Sequence, residues 1–133
     1  MSKIFNISEA ASIAIHSLAL IAKSKNRINV DQIAQMTNFS KNHVAKILQL
    51  LVKNNYLKSV RGPSGGFSPN KNTNKITLLE IYELIEGKLE IHKCSIHDGK
   101  CPFKECVFGD FSVRYTEEFK NSFKNKTIND VIA

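Results

Sequence analysis

The strongest constraint on the fold is residues 30–53, VDQIAQMTNFSKNHVAKILQLLVK, which have the pattern of two helices separated by a sharp break. Ile33, Ala34 and Met36 mark a short first helix, and the letters TNF interrupt it. Ser40 is a favourable N-cap for the second helix. Apolar residues then recur at helical spacing: Val44, Ile47, Leu48, Leu51 and Val52. The stretch therefore predicts a helix-turn-helix, whose second helix can enter a major groove.

The segments on either side extend this pattern. Residues 8–23, rich in Ala, Ile and Leu, predict a largely buried first helix with Ser8 as its N-cap. After the second helix of the motif, YLKSV and GFSP read as short strands around RGPSG. Pro63 presets a turn there and Gly62, Gly65 and Gly66 permit positive φ, so we predict a β-hairpin wing.

The second half of the chain predicts two more helices. Thr77 and Glu80 form a capping box ahead of LLEIYELIEG, with Gly87 as the terminator. A cysteine-containing stretch follows and is predicted to be an irregular loop. A final helix through about residue 124 has four aromatic side chains on one face. These are Phe108, Phe111, Tyr115 and Phe119.

The aromatic face has two interpretations, packing within the monomer or packing against a second copy. A homodimer suits a palindromic DNA site, which needs two recognition helices one helical turn apart. We therefore predict that Phe111, Tyr115 and Phe119 lie at a dimer interface.

The charge is concentrated at one end of the chain. Residues 1–75 hold 11 lysines and arginines against Glu9 and Asp31, a net charge of +9, whereas residues 76–133 have a net charge of −2. Such asymmetry suggests a polyanion-binding unit, although a solvated lysine-rich surface gives the same count. We predict contacts with double-stranded DNA from two sets of residues. The helix contributes Ser40, Lys41, Asn42, His43 and Lys46, and the wing contributes Arg61, Pro63 and Ser64.

The order of these parts resembles the bacterial winged-helix regulators of the IscR, NsrR and RirA type, the Rrf-two family. IAQMTNFSKNHVAKILQLLVKNNYLKSVRGPSGGF, followed by ITLLEIYELIEG, is similar to that family's helix-turn-helix, wing and linker helix, and the likeness covers nearly the whole chain. The resemblance implies a mainly α, winged helix-turn-helix fold with a long C-terminal dimerisation helix. It also implies a homodimeric transcriptional regulator, most simply a repressor, and not an enzyme. Residues 1–75 would form the DNA-binding region and residues 76–133 the linker helix, cysteine loop and dimerisation helix.

All three cysteines, Cys94, Cys101 and Cys106, fall within thirteen residues, C-x6-C-x4-C, beside His92 and His97. From spacing alone they fit a zinc site, an iron-sulfur site, a redox thiol sensor or unliganded thiols. The resemblance implies an iron-sulfur cluster, [2Fe-2S] or [4Fe-4S], held by the three cysteines and sensing nitric oxide, iron or cluster status.

The fourth ligand is the point where the chain departs from its family. One branch has a histidine three residues past the last cysteine, where this chain has Gly109, and another has an acidic residue on the first helix, where this chain has Ser12. We predict that His16, one turn beyond Ser12 and donated by the partner subunit, takes this place. The alternatives are Glu9, His92, His97 and Asp110. A metal-free or zinc-stabilised regulator controlled by a protein partner is the competing hypothesis.

The N-terminus predicts neither export nor membrane insertion. Its apolar stretch is interrupted by Glu9, Ser12, His16 and Ser17, and no cleavage site follows a basic start. No apolar run approaches the roughly 18 residues of a membrane helix. We therefore expect a cytoplasmic protein with no membrane partner, in which clustered cysteines favour metal or redox chemistry over disulfides.

Overall fold

A computed structural model describes residues 5–90 and 101–133. The described chain is mainly helical with one antiparallel hairpin, as the sequence predicts. In chain order the elements are α1 (Glu9–Lys23), α2 (Val30–Thr37), α3 (Lys41–Lys53), β1 (Leu57–Val60), β2 (Gly66–Pro69), a 3-10 helix (Thr73–Lys75), α4 (Leu78–Glu86), α5 (Phe111–Lys124) and α6 (Ile128–Ile132).

The predicted helix-turn-helix is confirmed as α2 and α3. Asn38 ends α2 in the left-handed conformation, with φ of 62°, and Ser40 begins α3 by accepting a hydrogen bond from the His43 N–H. Asparagine tolerates that conformation better than most residues, which is why the TNF letters break the helix. The apolar stripe of α3 faces the core as expected. Val44, Ile47, Leu48 and Leu51 are buried and Val52 is partly buried.

The wing is a two-stranded hairpin in which Leu57 pairs with Pro69 and Val60 with Gly66. Gly62 and Gly66 have φ of 114° and 150°, backbone that glycine adopts without steric cost. Gly65 does not have a positive φ, so its expected role needs correcting: a Cβ there would lie 2.2 Å from the Val60 carbonyl oxygen. Glycine is required at position 65 because there is no room for a Cβ atom, and not because the backbone needs a positive φ.

The hydrophobic core is built around α1, which packs against α3, α4 and α6. Ile13, Leu18 and Ile21 of α1 are almost fully buried, and Ile128 of α6 is completely buried among them. The sequence did not predict α6. It is tied to the start of α4 by backbone bonds from the Leu78 N–H to the Lys126 carbonyl and from the Ile128 N–H to the Ile76 carbonyl, each 2.9 Å.

The predicted capping box of α4 is confirmed. The Thr77 hydroxyl accepts from the Glu80 N–H at 3.1 Å, and the Glu80 carboxylate accepts from the Thr77 N–H at 2.7 Å. Gly87 ends the helix with φ of 90°. The other oxygen of the Glu80 carboxylate accepts a hydrogen bond from Tyr56, so that α4 is joined to the residue preceding the wing.

Helix α5 begins later than the aromatic pattern suggests. Phe108 lies outside it, because Gly109 adopts the left-handed conformation, φ 62°, and Asp110 occupies the N-cap. The helix then runs 14 residues from Phe111. None of its side chains is fully buried within one chain. Across residues 5–90 and 101–133, every helix is too short or too polar to cross a membrane.

Candidate nucleic-acid interface and cysteine segment

The first turn of α3 presents polar side chains to solvent. Ser40, Lys41, Asn42 and Lys46 are exposed and His43 is partly buried. The helix begins here, so the positive end of the helix dipole adds to the lysine charge. This arrangement is suited to phosphate and to the edges of bases.

Two carboxylates lie against the same turn. The Lys41 ammonium is 2.8 Å from Asp31 Oδ1 at the start of α2. His43 Nδ1 is 3.9 Å from Glu9 Oε1 at the start of α1. Sequence reasoning did not foresee either pairing, since each joins residues on different helices.

The tip of the wing is also exposed, at Arg61, Pro63 and Ser64. The Arg27 guanidinium donates to the Ser64 carbonyl at 3.4 Å across a groove of about 680 Å³. Lys25 and Arg27 line the loop side of this groove. Sequence reasoning missed Arg27, although the run KSKNR, residues 23–27, was a visible signal of a basic loop beside the wing.

His16 is exposed on α1, and its ring has a fixed orientation. Nδ1 lies 2.7 Å from the Ser12 carbonyl oxygen and 3.2 Å from the Ser12 hydroxyl. A carbonyl can only accept, so Nδ1 carries the proton and the neutral ring keeps its lone pair on Nε2. The ring also contacts Phe39 edge-on, with centroids 6.2 Å apart. A backbone carbonyl that orients one ring nitrogen is a common arrangement behind histidine metal ligands.

The described part of the cysteine segment holds two free thiols, with Cys101 partly buried and Cys106 exposed. Cys94, His92 and His97 lie outside the described residues. Within residues 5–90 and 101–133 of one chain, no three His, Cys, Asp or Glu side chains converge on a metal-sized site. Thiolate donors fit an iron-sulfur cluster and a zinc ion equally well.

The aromatic side chains of α5 divide into two groups. Phe119 packs against other aromatic rings of the same chain. Its ring centroid lies 5.1 Å from that of Tyr82, 4.3 Å from that of Phe123 and 6.0 Å from that of Phe5. Phe111 stacks on Tyr115 at 5.9 Å and is 52% exposed.

Exposed apolar residues continue from Phe111 toward the cysteines; they are Phe103, Val107 and Phe108. Burial, followed by the charges of Glu86 and Tyr115, raises the pKa of Tyr82, whose ring packs against Phe119.

A capped recognition helix, a basic hairpin beside it and a helical core define a winged-helix DNA-binding protein. The chain belongs to the Rrf2 family, described as iron-dependent transcriptional regulators, whose sequence profile matches residues 7–133. The family consists of transcriptional regulators and not enzymes.

Similarities to known proteins support this family assignment. A helix-turn-helix-type transcriptional regulator of Aquifex aeolicus is 30% identical over 129 residues, 94% of this chain and 90% of that protein. CymR, the global cysteine regulator of B. subtilis, has a similar fold, with a TM-score of 0.78, 21% identity and 97% of each chain covered. IscR of T. potens superposes with a TM-score of 0.70 at 17% identity, covering 97% of this chain and 87% of its own.

Proposed function

We propose that this regulator is a cytoplasmic, homodimeric repressor that binds a pseudo-palindromic operator and responds to an iron-sulfur cluster. One observation carries the proposal: the cysteine segment lies between α4, whose Glu80 is hydrogen-bonded to Tyr56 beside the wing, and the partly exposed aromatic helix α5. In chain order the cysteine segment therefore connects the helix that is joined to the wing with the helix that we assign to the dimer.

The DNA contacts follow from exposure and charge. The first turn of α3, with Ser40, Lys41, Asn42 and His43, would face base edges and phosphates, together with Lys46 on the next turn. Arg61, Pro63 and Ser64 at the wing tip would reach the minor groove or backbone. All but the partly buried His43 are exposed.

The dimer is supported by the half-exposed state of α5. Phe111 is 52% exposed, and Tyr115 and Phe119 are partly buried, in one chain. Phe103 and Phe108, just before the helix, are also exposed, and so many exposed aromatic side chains would be an aggregation hazard in a monomer. A second copy, placed by symmetry, would cover them and bring two recognition helices to two half-sites.

Cys94, Cys101 and Cys106 would hold the cluster, with His16 of the other subunit as fourth ligand through Nε2. The family's description as iron-dependent supports iron over zinc. When bound, the cluster supplies a group that reacts with nitric oxide or is lost when iron is scarce. The chain's own part is to fix the thiolates and to orient the His16 ring through the Ser12 carbonyl.

The test is anaerobic purification followed by iron, sulfide and zinc analysis and by operator binding before and after cluster removal. We expect a brown protein with iron and sulfide in a ratio near one, and an operator affinity that changes at least about tenfold on cluster loss, a typical size for allosteric coupling. A colourless protein that binds the operator equally well before and after chelation contradicts the proposal.

The second candidate is a metal-free or zinc-stabilised regulator controlled by a protein partner. Its support is the donor set, since cysteine thiolates and histidine imidazoles suit tetrahedral zinc as well as they suit a cluster. Stoichiometric zinc without sulfide, in protein that still binds DNA, would favour this candidate.

A further inference from the structure

The DNA-binding half of the chain is nearly free of negative charge. Residues 1–75 contain eleven basic residues and only two acidic ones, Glu9 and Asp31. Both carboxylates lie against the first turn of α3. Asp31 Oδ1 is 2.8 Å from the Lys41 ammonium, and Glu9 Oε1 is 3.9 Å from His43 Nδ1.

Helix capping accounts for only part of this placement. Glu9 and Asp31 are each in the first turn of a helix, where a carboxylate complements the helix dipole. Stabilising the start of α1 or α2 in this way does not require any contact with α3. It does not explain why each carboxylate also lies against a cationic or protonatable side chain of the recognition helix.

We propose that Glu9 and Asp31 are specificity-determining residues that lower the affinity of this surface for arbitrary DNA. The proposal rests on the assignment of Lys41 and His43 as DNA contacts under the proposed function. Each carboxylate competes with phosphate for its partner and repels phosphates that approach the turn. In a non-operator complex, where phosphate contacts supply essentially all the affinity, this repulsion is uncompensated.

In the operator complex the same two pairs have a different effect. Each carboxylate holds its lysine or histidine partner near the DNA groove and reduces the number of conformations that this partner can adopt. A base edge therefore meets a hydrogen-bond donor that is already oriented. The Lys41 and Asp31 side chains are each 65% exposed, so the pair exchanges with water and adjusts when DNA arrives. The protein then discriminates the operator from other DNA through the repulsion by these two carboxylates as well as through its attractive contacts.

The test uses Asp31→Asn, Glu9→Gln and the double variant of the full-length protein in its anaerobically purified form. The probes are a duplex selected from random-sequence DNA by the wild-type protein and a scrambled duplex of equal length. We expect scrambled-duplex affinity to rise about tenfold in Asp31→Asn, while affinity for the selected duplex changes less than about threefold. The slope of log affinity for the scrambled duplex against log salt should steepen by about 0.9, because one more cation is free to meet a phosphate.

Glu117→Gln is the matched control, since it removes one exposed carboxylate from α5 and changes the net charge equally. An equal rise in non-operator affinity in Glu117→Gln would show that total charge alone matters and would overturn the proposal. So would an unchanged ratio of the two affinities in the double variant. A purely structural role would change the unfolding temperature of Asp31→Asn without changing this ratio.

Lys41→Ala separates failure of this inference from failure of the proposed function. If Lys41→Ala leaves affinity for both duplexes unchanged, the DNA-contact assignment is wrong and the inference falls with it. If Lys41→Ala weakens binding but Asp31→Asn leaves the ratio unchanged, only the inference is wrong. In the combined Asp31→Asn, Lys41→Ala variant, the gain in scrambled-duplex affinity should be smaller than in Asp31→Asn alone, because only the repulsion between the carboxylate and phosphate is then relieved.

Discussion

The Tyr56 hydroxyl donates a 2.8 Å hydrogen bond to Glu80 Oε2, across the boundary between the helix-turn-helix and α4. Oε1 of the same carboxylate accepts from the Thr77 N–H at 2.7 Å. One side chain therefore caps α4 and fastens it to the residue that leads into the wing. The Lys71 ammonium lies 4.1 Å from the centre of the Tyr56 ring.

This contact predicts a pH dependence of stability. Burial, then the hydrogen bond and the charge of Glu80, raise the pKa of Tyr56 to about 12 from the usual 10.0. The folded chain therefore favours the protonated phenol. The contribution is complete below about pH 10 and is lost as the pH rises through about 12.

The comparison between wild type and Tyr56→Phe isolates that contribution. We expect Tyr56→Phe to lower the free energy of unfolding by about 1 to 2 kcal/mol at pH 8, since a hydrogen bond to a charged group is lost. Between pH 10 and 12 the free energy should fall less steeply in the variant than in the wild type. Urea unfolding at several pH values measures both, and parallel pH profiles would contradict the assignment.

The wing should not tolerate a side chain at position 65. A Cβ on Gly65 would lie 2.2 Å from the Val60 carbonyl oxygen and 2.9 Å from that of Gly62. Because these are backbone atoms, Gly65→Ala must distort the hairpin, at a cost of about 1 to 3 kcal/mol. Thermal unfolding should show the loss, while Ser64→Ala on the exposed tip should leave the unfolding temperature close to wild type. Equal unfolding temperatures for the two variants would contradict the clash.

Salt dependence should report the predicted DNA contacts. With six to ten phosphate contacts, operator affinity should fall about 10³- to 10⁵-fold between about 50 and 200 mM salt. Arg61→Ala with Lys46→Ala should weaken binding and reduce the slope by about 0.9 for each phosphate contact removed. Lys124→Ala, an exposed lysine at the end of α5, is the control that should leave the slope unchanged. Full operator binding by the double variant would rule out this surface.

The apolar surface of α5 should determine the oligomeric state. Phe111→Glu places a charge within the predicted interface and should shift a micromolar solution toward monomer in sedimentation velocity. Met36→Glu is a matched control, because Met36 is 56% exposed against 52% for Phe111 but lies on α2. A wild-type protein that sediments as a well-behaved monomer would refute the dimer.

His16 should affect the lifetime of a reconstituted cluster. If Nε2 is the fourth ligand, His16→Ala should alter the visible absorption spectrum and shorten the cluster lifetime under air. Glu9→Ala serves as the comparison. Wild-type spectrum, lifetime and nitric-oxide response in His16→Ala would shift the assignment to Glu9 or the loop histidines.

The features that the sequence predicted correctly are local ones. The Ser40 cap and the capping box of Thr77 and Glu80 depend on side chains that meet a backbone three residues away, so spacing alone specifies them. The stripe of α3 from Val44 to Leu51 is predicted for the same reason, because one helical period places these residues on one face.

The features that escaped prediction join distant parts of the chain. The pairing of Asp31 with Lys41 depends on the angle between α2 and α3, and Phe119 contacts Phe5 and Tyr82 only because α5 returns to α4. No local pattern encodes those placements. Exposure of the first turn of α3 could be predicted from periodicity, whereas the partners of its side chains could not.

The backbone pair between Ile76 and Ile128 has a mechanical consequence. It closes residues 78–126 into a loop whose two ends are fastened together beside the core. Helix α4 within this loop also packs against α1 and is joined to Tyr56, so these contacts hold the loop to the rest of the protein together with the junction. A single proteolytic cut within the loop would leave α6 seated through the buried Ile128, so that the two fragments stay together as a noncovalent complex.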